Sequence, residues 1–394
     1  MAKKKNVRTY LRGKTWTYSF ETANVGGKRK PITKGGFPTE EDAYKAGMAA
    51  LADHINGLKR PEPVTISYGD FLDHWLRNVQ IHEVKPKSYE AEEALCRKHI
   101  IPDLGHIKLT ELSRVSIKTF LIKKTDEGYS KSTITILKAL ISKSLRAAIT
   151  EYNYISDNPA RDIALPKAAL NRKQNHRRAL SKDDQEKLLS YFTIGSNEYM
   201  AALIGLHCGT RIGEAFALTW DDIDLDNCTL NIDKQILQIG GRYVIDSPKY
   251  DSCRVIKIDA DLIKHLRLFR KTRLEEKLRT ADYPDTLIFE DLSCEGRLRE
   301  FDLIFRKADG MFFSRYAMSC ALRRAQKDLD MSVDFHTLRH THCTDLITAG
   351  APPKAVQHRL GHKRIEITLN IYTSVTQEMD AQVSEILNTR LYAE

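Results

Sequence analysis

Three short stretches of this chain carry residue types able to act on a phosphate oxyanion. In Phe335-His-Thr-Leu-Arg-His-Thr-His, helical spacing puts His336, Arg339 and His340 at i, i+3 and i+4, so they project together. Arginine offers phosphate a bidentate fork, and histidine donates or relays a proton. Cys208-Gly-Thr-Arg-Ile-Gly-Glu places Arg211 and Glu214 three apart on one helical face. Alone, that pair reads equally well as a surface ion pair worth little. Leu360-Gly-His362-Lys follows, and Tyr372, one of 16 tyrosines, stands ten positions after His362. Competing readings exist for the histidines. His336 and His340 have helical zinc-ligand spacing, without the Glu of a metalloprotease pair or a sulfur ligand nearby. Histidines bonded within a core are the commoner case, and His340 and His342 fit it. What singles out the set is its order: Arg, then His-x-x-Arg, then Gly-His, then Tyr.

Those stretches resemble the signature boxes of the tyrosine recombinases, the phage integrase family. The resemblance rests on Gly-Thr-Arg-Ile-Gly-Glu, His-Thr-Leu-Arg-His-Thr, Leu-Gly-His and Ile-Thr-Leu-Asn-Ile-Tyr-Thr, with Ala349-Gly-Ala-Pro ahead of the third. It covers about 175–394 and extends more weakly toward the amino terminus. It implies that Arg211 and Arg339 clamp a scissile phosphate, that His336 and His362 fill the two histidine positions, and that Tyr372 is the nucleophile. Ser247-Pro-Lys249 through Arg254-Val-Ile is similar to the family's strand hairpin, which makes Lys249 the candidate lysine, with Lys257 nearby. Glu214 matches a supporting acid. Cys208 departs from the family, where Thr or Ser is more usual. On this resemblance His336 assists loss of the tyrosine proton and Lys249 protonates the leaving 5′ oxygen, through a covalent 3′-phosphotyrosine. Such a linkage reseals without ATP or metal, and no cofactor is expected: the chain has no phosphate-cradling Gly-x-x-x-x-Gly-Lys-Ser/Thr loop.

The elements that must position these residues can be sketched from pattern. Residues 7–37 alternate like three short strands broken at Gly13, Gly26-Gly27 and Gly35-Gly36, and Thr39-Glu-Glu-Asp starts a helix packing through Ala43, Gly47, Ala50 and Leu51. Arg8, Arg12, Lys14, Lys28, Arg29, Lys30 and Lys34, with Trp16 and Tyr18 interleaved, suit a sheet lying in a DNA groove; Trp16 and Phe20, sharing one parity, read instead as core. From Thr65 to about Pro166 the periodicity is helical: Phe71, Trp75 and Leu76 share a face, as do Ile134, Leu137, Ala139, Leu140, Ile141 and Leu145. Ile101-Pro-Asp-Leu-Gly is expected to interrupt two of these helices. Lys85, Lys87, Lys131, Ser132 and Lys138 could meet phosphates. After a basic connector ending at Arg178 the chain is mixed, with short strands between about Cys228 and Asp259. Val383, Ile386, Leu387 and Leu391 suggest a terminal amphipathic helix that packs on its own or on a neighbouring subunit.

The composition is that of a globular protein, and its basic excess suits a polyanion partner or, equally on charge alone, a solvated soluble face. The 394 residues are 42% hydrophobic and 29% charged, with a net charge of +10, and residues 1–60 hold 13 Lys+Arg against 5 Asp+Glu. Seven scattered cysteines argue against a disulfide framework, and no apolar run reaches bilayer length, so a cytoplasmic bacterial protein is expected. The expected fold is multidomain: a small α+β arm-binding domain (1–60), an all-α core-binding domain (65–166) and a mainly α catalytic domain with a small antiparallel sheet (175–394). The expected function is site-specific recombination by an integrase of a temperate phage or conjugative transposon. The expected partners are double-stranded DNA with core and arm sites, three further protomers in a homotetramer, and an excisionase or host DNA-bending protein. A non-catalytic DNA-binding regulator and a type IB topoisomerase are the alternatives.

Overall fold

The computed structural model describes residues 7–21, 31–55, 65–166 and 179–372, less the side chains of 21, 52–55, 367 and 370–372. Lys28, Arg29, Lys30 and the terminal segment with Val383, Ile386, Leu387 and Leu391 lie outside it. The chain divides into two compact units, 1–173 and 174–394.

In the first unit, strands β1 (Arg8–Arg12), β2 (Thr15–Glu21) and β3 (Pro31–Phe37) form an antiparallel sheet packed on the helix Glu40–Ile55. Thr39 caps that helix, its hydroxyl accepting from Asp42 N at 3.2 Å. Gly47 is required where the helix crosses the sheet: a Cβ there would lie 2.4 Å from Val7 and 2.9 Å from Tyr18. Tyr18 and Phe20 are both buried, their rings stacked 6.2 Å apart, while Trp16 is half-buried beside a bulge at Trp16/Thr17. Tyr18 is therefore a core residue and is withdrawn from the groove-facing set. The extra residue of the bulge is Gly36 on β3, and Phe20 holds the core position expected of it while Trp16 only half does.

The helical part follows: Tyr68–Trp75, Pro86–Leu95, Arg114–Asp126 and Lys131–Thr150, the first and the last two opened by serine caps at Ser67, Ser113 and Ser130. Phe71, Trp75 and Leu76 share a fully buried cluster with Ile134, Leu137, Ile141 and Leu145; Ala139 lies outside it, exposed on the opposite face. The interruption expected across Ile101-Pro-Asp-Leu-Gly falls at its last residue, Gly105, and not at the proline. Pro86–Leu95 runs on through a wide π turn, Cys96–Ile100, into Ile101–Leu104, and the chain leaves the helix at Gly105. The wide turn relaxes the i→i−4 ladder where Pro102 has no N–H to give.

In the second unit a core centred on Phe216, Phe269, Phe305 and Leu338 draws on six of the eight helices among the described residues, and Cys343, Ile347, Val356 and Leu360 form a separate small cluster. Two small sheets flank it. One orders β4 (Ile223–Asp224), β5 (Thr229–Ile232) and β8 (Arg254–Lys257); the other joins β6 (Gln235–Ile239) and β7 (Arg242–Asp246) to a hairpin of β9 (Leu287–Asp291) and β10 (Arg297–Phe301) through a parallel β7–β9 pair. The later hairpin has no counterpart in the sequence reading, which saw strands only up to Asp259. Among the described residues no helix is long and apolar enough to cross a membrane.

Candidate active site

The site is assembled by four loops and helix ends of the second unit. The helix Asn197–Cys208 stops at Gly209, whose left-handed φ of +63° suits glycine, and a Cβ there would sit 2.5 Å from the His342 ring. Arg211 then caps the short helix Ile212–Ala215, and Glu214 Oε2 accepts from the Arg211 backbone N–H at 2.9 Å. Asp334 caps the helix Phe335–Thr348 by accepting from Thr337 N at 2.7 Å, which sets the rotation that buries Arg339.

Three guanidiniums meet one carboxylate. Glu214, fully buried, accepts from Arg211 Nη1 and, at 2.8 Å, from Arg254 Nη2, and Arg339 Nη1 lies 4.0 Å away. Burial alone would raise the Glu214 carboxyl, but Arg254 and Arg211 outweigh it and hold it below the ordinary carboxylate range. Arg339 is 3% exposed; loss of solvent first, then the Arg211 charge, pulls it down to about 9. Three positive groups against one negative leave the pocket electropositive, the condition for binding an oxyanion.

The same arginines grip the end of the helix Pro353–Leu360. Arg254 Nε donates to the Arg359 carbonyl at 2.7 Å, Arg339 Nη2 to that of Leu360 at 2.7 Å, and Arg211 Nη2 to that of Gly361 at 2.9 Å. Carbonyls at a helix C-terminus have no intrahelical donor and carry the negative end of the dipole, so each is a good partner for a cation. Gly361 completes the turn at φ +65°, where a Cβ would meet Ser252 Cβ at 2.9 Å. This explains the Leu-Gly-His sequence physically: the glycine lets the turn close onto the arginines and delivers His362 beside them.

His362 Nδ1 lies 2.9 Å from Thr368 Oγ1, which ties the ring to the helix Ile365–Tyr372. Burial, then Arg339, Arg211 and His336, drive its imidazole down to about 3, so it is neutral at physiological pH. His336 is exposed on the first turn of its helix, with its charge felt at His362. Tyr372 closes the helix Ile365–Tyr372, and its side chain lies outside the described residues.

Lys249 is exposed in a short 3-10 turn, Lys249–Asp251, between β7 and β8. Its backbone is linked to the cluster: Ser252 Oγ donates to the Lys249 carbonyl at 3.0 Å and accepts from Arg211 Nη1 at 3.2 Å. Lys257, the neighbouring alternative, donates to the Asn227 carbonyl at 2.9 Å. His342 is a satisfied core histidine, Nδ1 donating to the Leu206 carbonyl at 2.7 Å and Nε2 accepting from Arg359 Nε at 3.0 Å. His340 is half-buried, and among the described residues no three metal-ligating side chains gather into a metal-sized group.

Arg254 escaped the sequence reading as a functional residue. Its one signal was an arginine at an inward position of a strand, where a charge is held only by a buried partner. In the first unit Arg8, Arg12, Lys14 and Lys34 are all exposed, but on different surfaces. Arg8 and Arg12 pair in register with Ser19 and Thr15, on the face away from the helix, with Tyr10 between them; Lys34 pairs with Tyr18 on the other face.

Comparison with known proteins agrees with this geometry. The family model for the phage integrase family matches residues 178–379, that for a phage integrase N-terminal SAM-like domain residues 67–124, and that for an Arm DNA-binding domain residues 7–51. A tyrosine recombinase XerC-like protein of Caldanaerobacter subterraneus subsp. tengcongensis is 26% identical over 370 residues, 87% of this chain and 89% of that protein. The transposase from transposon Tn916 of Enterococcus faecalis is 29% identical over 303 residues, 74% of this chain and 71% of that one. A structure of the Tn1549 transposon integrase in complex with a circular intermediate DNA has the same fold, with a TM-score of 0.66 at 24% identity over 80% of this chain and 99% of that one. The chain belongs to the phage integrase family and is a tyrosine recombinase, an enzyme that cuts and rejoins DNA at specific sites.

Proposed function

We propose that this recombinase integrates and excises a mobile element, with Tyr372 as the nucleophile. The observation that carries this reading is the convergence of Arg211, Arg339 and His362 on the single turn Leu360–His362, one helix ahead of Tyr372. The two arginines hold the nonbridging oxygens of the scissile phosphate, where charge grows during attack. Tyr372 Oη attacks phosphorus as His336 helps remove its proton. The bond from phosphorus to the 5′ oxygen breaks, and Lys249 gives that oxygen a proton. A 3′-phosphotyrosine and a free 5′ hydroxyl result. Attack by a partner strand's 5′ hydroxyl reverses the step, releasing Tyr372 and forming a Holliday junction without ATP. Exchange between two duplexes requires four such sites, hence a homotetramer on DNA.

The division of labour follows the three matched segments: residues 1–60 on outer arm sites, 65–166 and 175–394 on the inner core sites. An excisionase or host DNA-bending protein sets direction, and the enzyme works on bacterial DNA in the cytoplasm. The test is incubation of the full chain with a nicked half-site that traps the covalent intermediate. The wild type forms an adduct and Tyr372→Phe forms none. No wild-type adduct, or an equal adduct from the variant, refutes the reading. Relaxation of any plasmid with no junction products from cognate sites would point to a topoisomerase instead.

A further inference from the structure

The turn that carries Lys249 holds an unusual aromatic. Tyr250 is 58% exposed and adopts φ +64°, a left-handed conformation disfavoured for a residue with a Cβ, and Asp251 follows at φ +48°. Exposed aromatics in strained turns gain nothing from burial, so the strain needs another cause. Two ammoniums stand near the ring: Lys249 Nζ is 5.1 Å from its centroid and Lys363 Nζ 5.2 Å. The turn itself is fastened to the phosphate clamp, through Ser252 Oγ to Arg211 and through Arg254 Nη1 donating to the Ser252 carbonyl at 3.0 Å. Tyr250, Ser252, Arg254, Gly361, His362 and Lys363 line one groove.

We propose that Tyr250 is a positioning residue for Lys249: its ring face gathers the lysine ammonium at the mouth of the arginine cluster, so the proton donor for the leaving 5′ oxygen is in place when DNA enters. A lysine on an exposed turn otherwise samples many rotamers, and a cation–π contact narrows them. The inference rests on the role proposed above for Lys249.

The experiment compares two nicked half-sites with the full chain, one ordinary and one with sulfur replacing the bridging 5′ oxygen at the cut. A thiolate leaves without being protonated, so it removes the need for a general acid. Tyr250→Ala slows single-turnover cleavage of the ordinary half-site by about 2- to 10-fold and leaves the sulfur half-site at the wild-type rate. Tyr250→Phe, which keeps the ring, restores the ordinary rate. Wild-type cleavage of ordinary DNA by Tyr250→Ala, or equal slowing on both half-sites, overturns the proposal. Lys249→Ala separates the two ideas. Slow on ordinary and normal on sulfur DNA, it upholds the lysine, and a failure at Tyr250 then falls on Tyr250 alone. Equal slowing of Lys249→Ala on both removes the role of Lys249 and this proposal with it.

Discussion

Arg254 and Glu214 meet at 2.8 Å in a buried pocket, one 5% exposed and the other 0%. The pair does two things. It offsets much of the charge of a carboxylate that also holds Arg211, and it joins strand β8 to the end of the helix Pro353–Leu360 through the Arg359 carbonyl.

Breaking this pair is costly, because the surviving charge stays buried. Arg254→Ala is expected to lower the unfolding free energy of the full chain by about 3–5 kcal/mol. Glu214→Ala does likewise, and the double variant loses less than the sum, since the two charges that face each other at 2.8 Å leave together. Urea denaturation measures all three. Strict additivity would show that the two residues act independently.

Arg211 is the more accessible clamp, 22% exposed at its side chain. Lysine keeps the charge but cannot reach Glu214, Ser252 and the Gly361 carbonyl at once. Arg211→Lys should therefore cut the cleavage rate on a nicked half-site by ~10²–10³ while the melting temperature moves little. A rate within a few-fold of wild type would remove Arg211 from the transition-state machinery.

The site was legible in the sequence to the extent that its parts are local. Arg211 with Glu214, and His336 with Arg339, stand one helical turn apart, and Gly361 announces its own turn. Arg254 was illegible as a functional residue because its partners lie 40 positions back and 105 ahead, a relation only tertiary packing creates. The continuation of the helix through Ile101-Pro102 was hidden for a local reason: the π turn before it removes the conflict that proline ordinarily brings. Tyr18 is core because it lies two residues from Phe20 on one face of the strand, and both rings pack together. Lys34 shows the same limit, since its charge is plain from sequence and its face depends on strand register.

Register makes Arg8 and Arg12 the basic residues of the open sheet face, beside Tyr10. The double variant Arg8→Glu with Arg12→Glu is expected to weaken arm-site binding and to lower the slope of log affinity against log salt by roughly 2, the value for two lost phosphate contacts. Core half-site cleavage should be unchanged. An unaltered salt slope would place arm contacts elsewhere.

His342 makes stability depend on acid. Burial, then Arg359, pulls it from the ordinary 6.5 down to about 4. Above pH ~6.5 neither the folded nor the unfolded chain protonates it, and its contribution is fully present. Below that, the unfolded chain takes up the proton first, and stability falls until the folded value is reached, on the order of 3 kcal/mol in all. His362, lowered further, acts in the same direction. Denaturation between pH 7 and pH 4 (values spanning the shift) should show a smaller loss for His342→Gln than for wild type. Identical losses would mean that His342 titrates normally.

The central claim is that one tyrosine becomes joined to DNA. The most direct measurement traps the intermediate on a nicked half-site, digests the complex and locates the nucleotide-bearing peptide by mass spectrometry. The modification is predicted on Tyr372, in the peptide that runs from Ile365, linked through phosphate to a 3′ end. Attachment at any of the other tyrosines, or at a serine, would contradict the account.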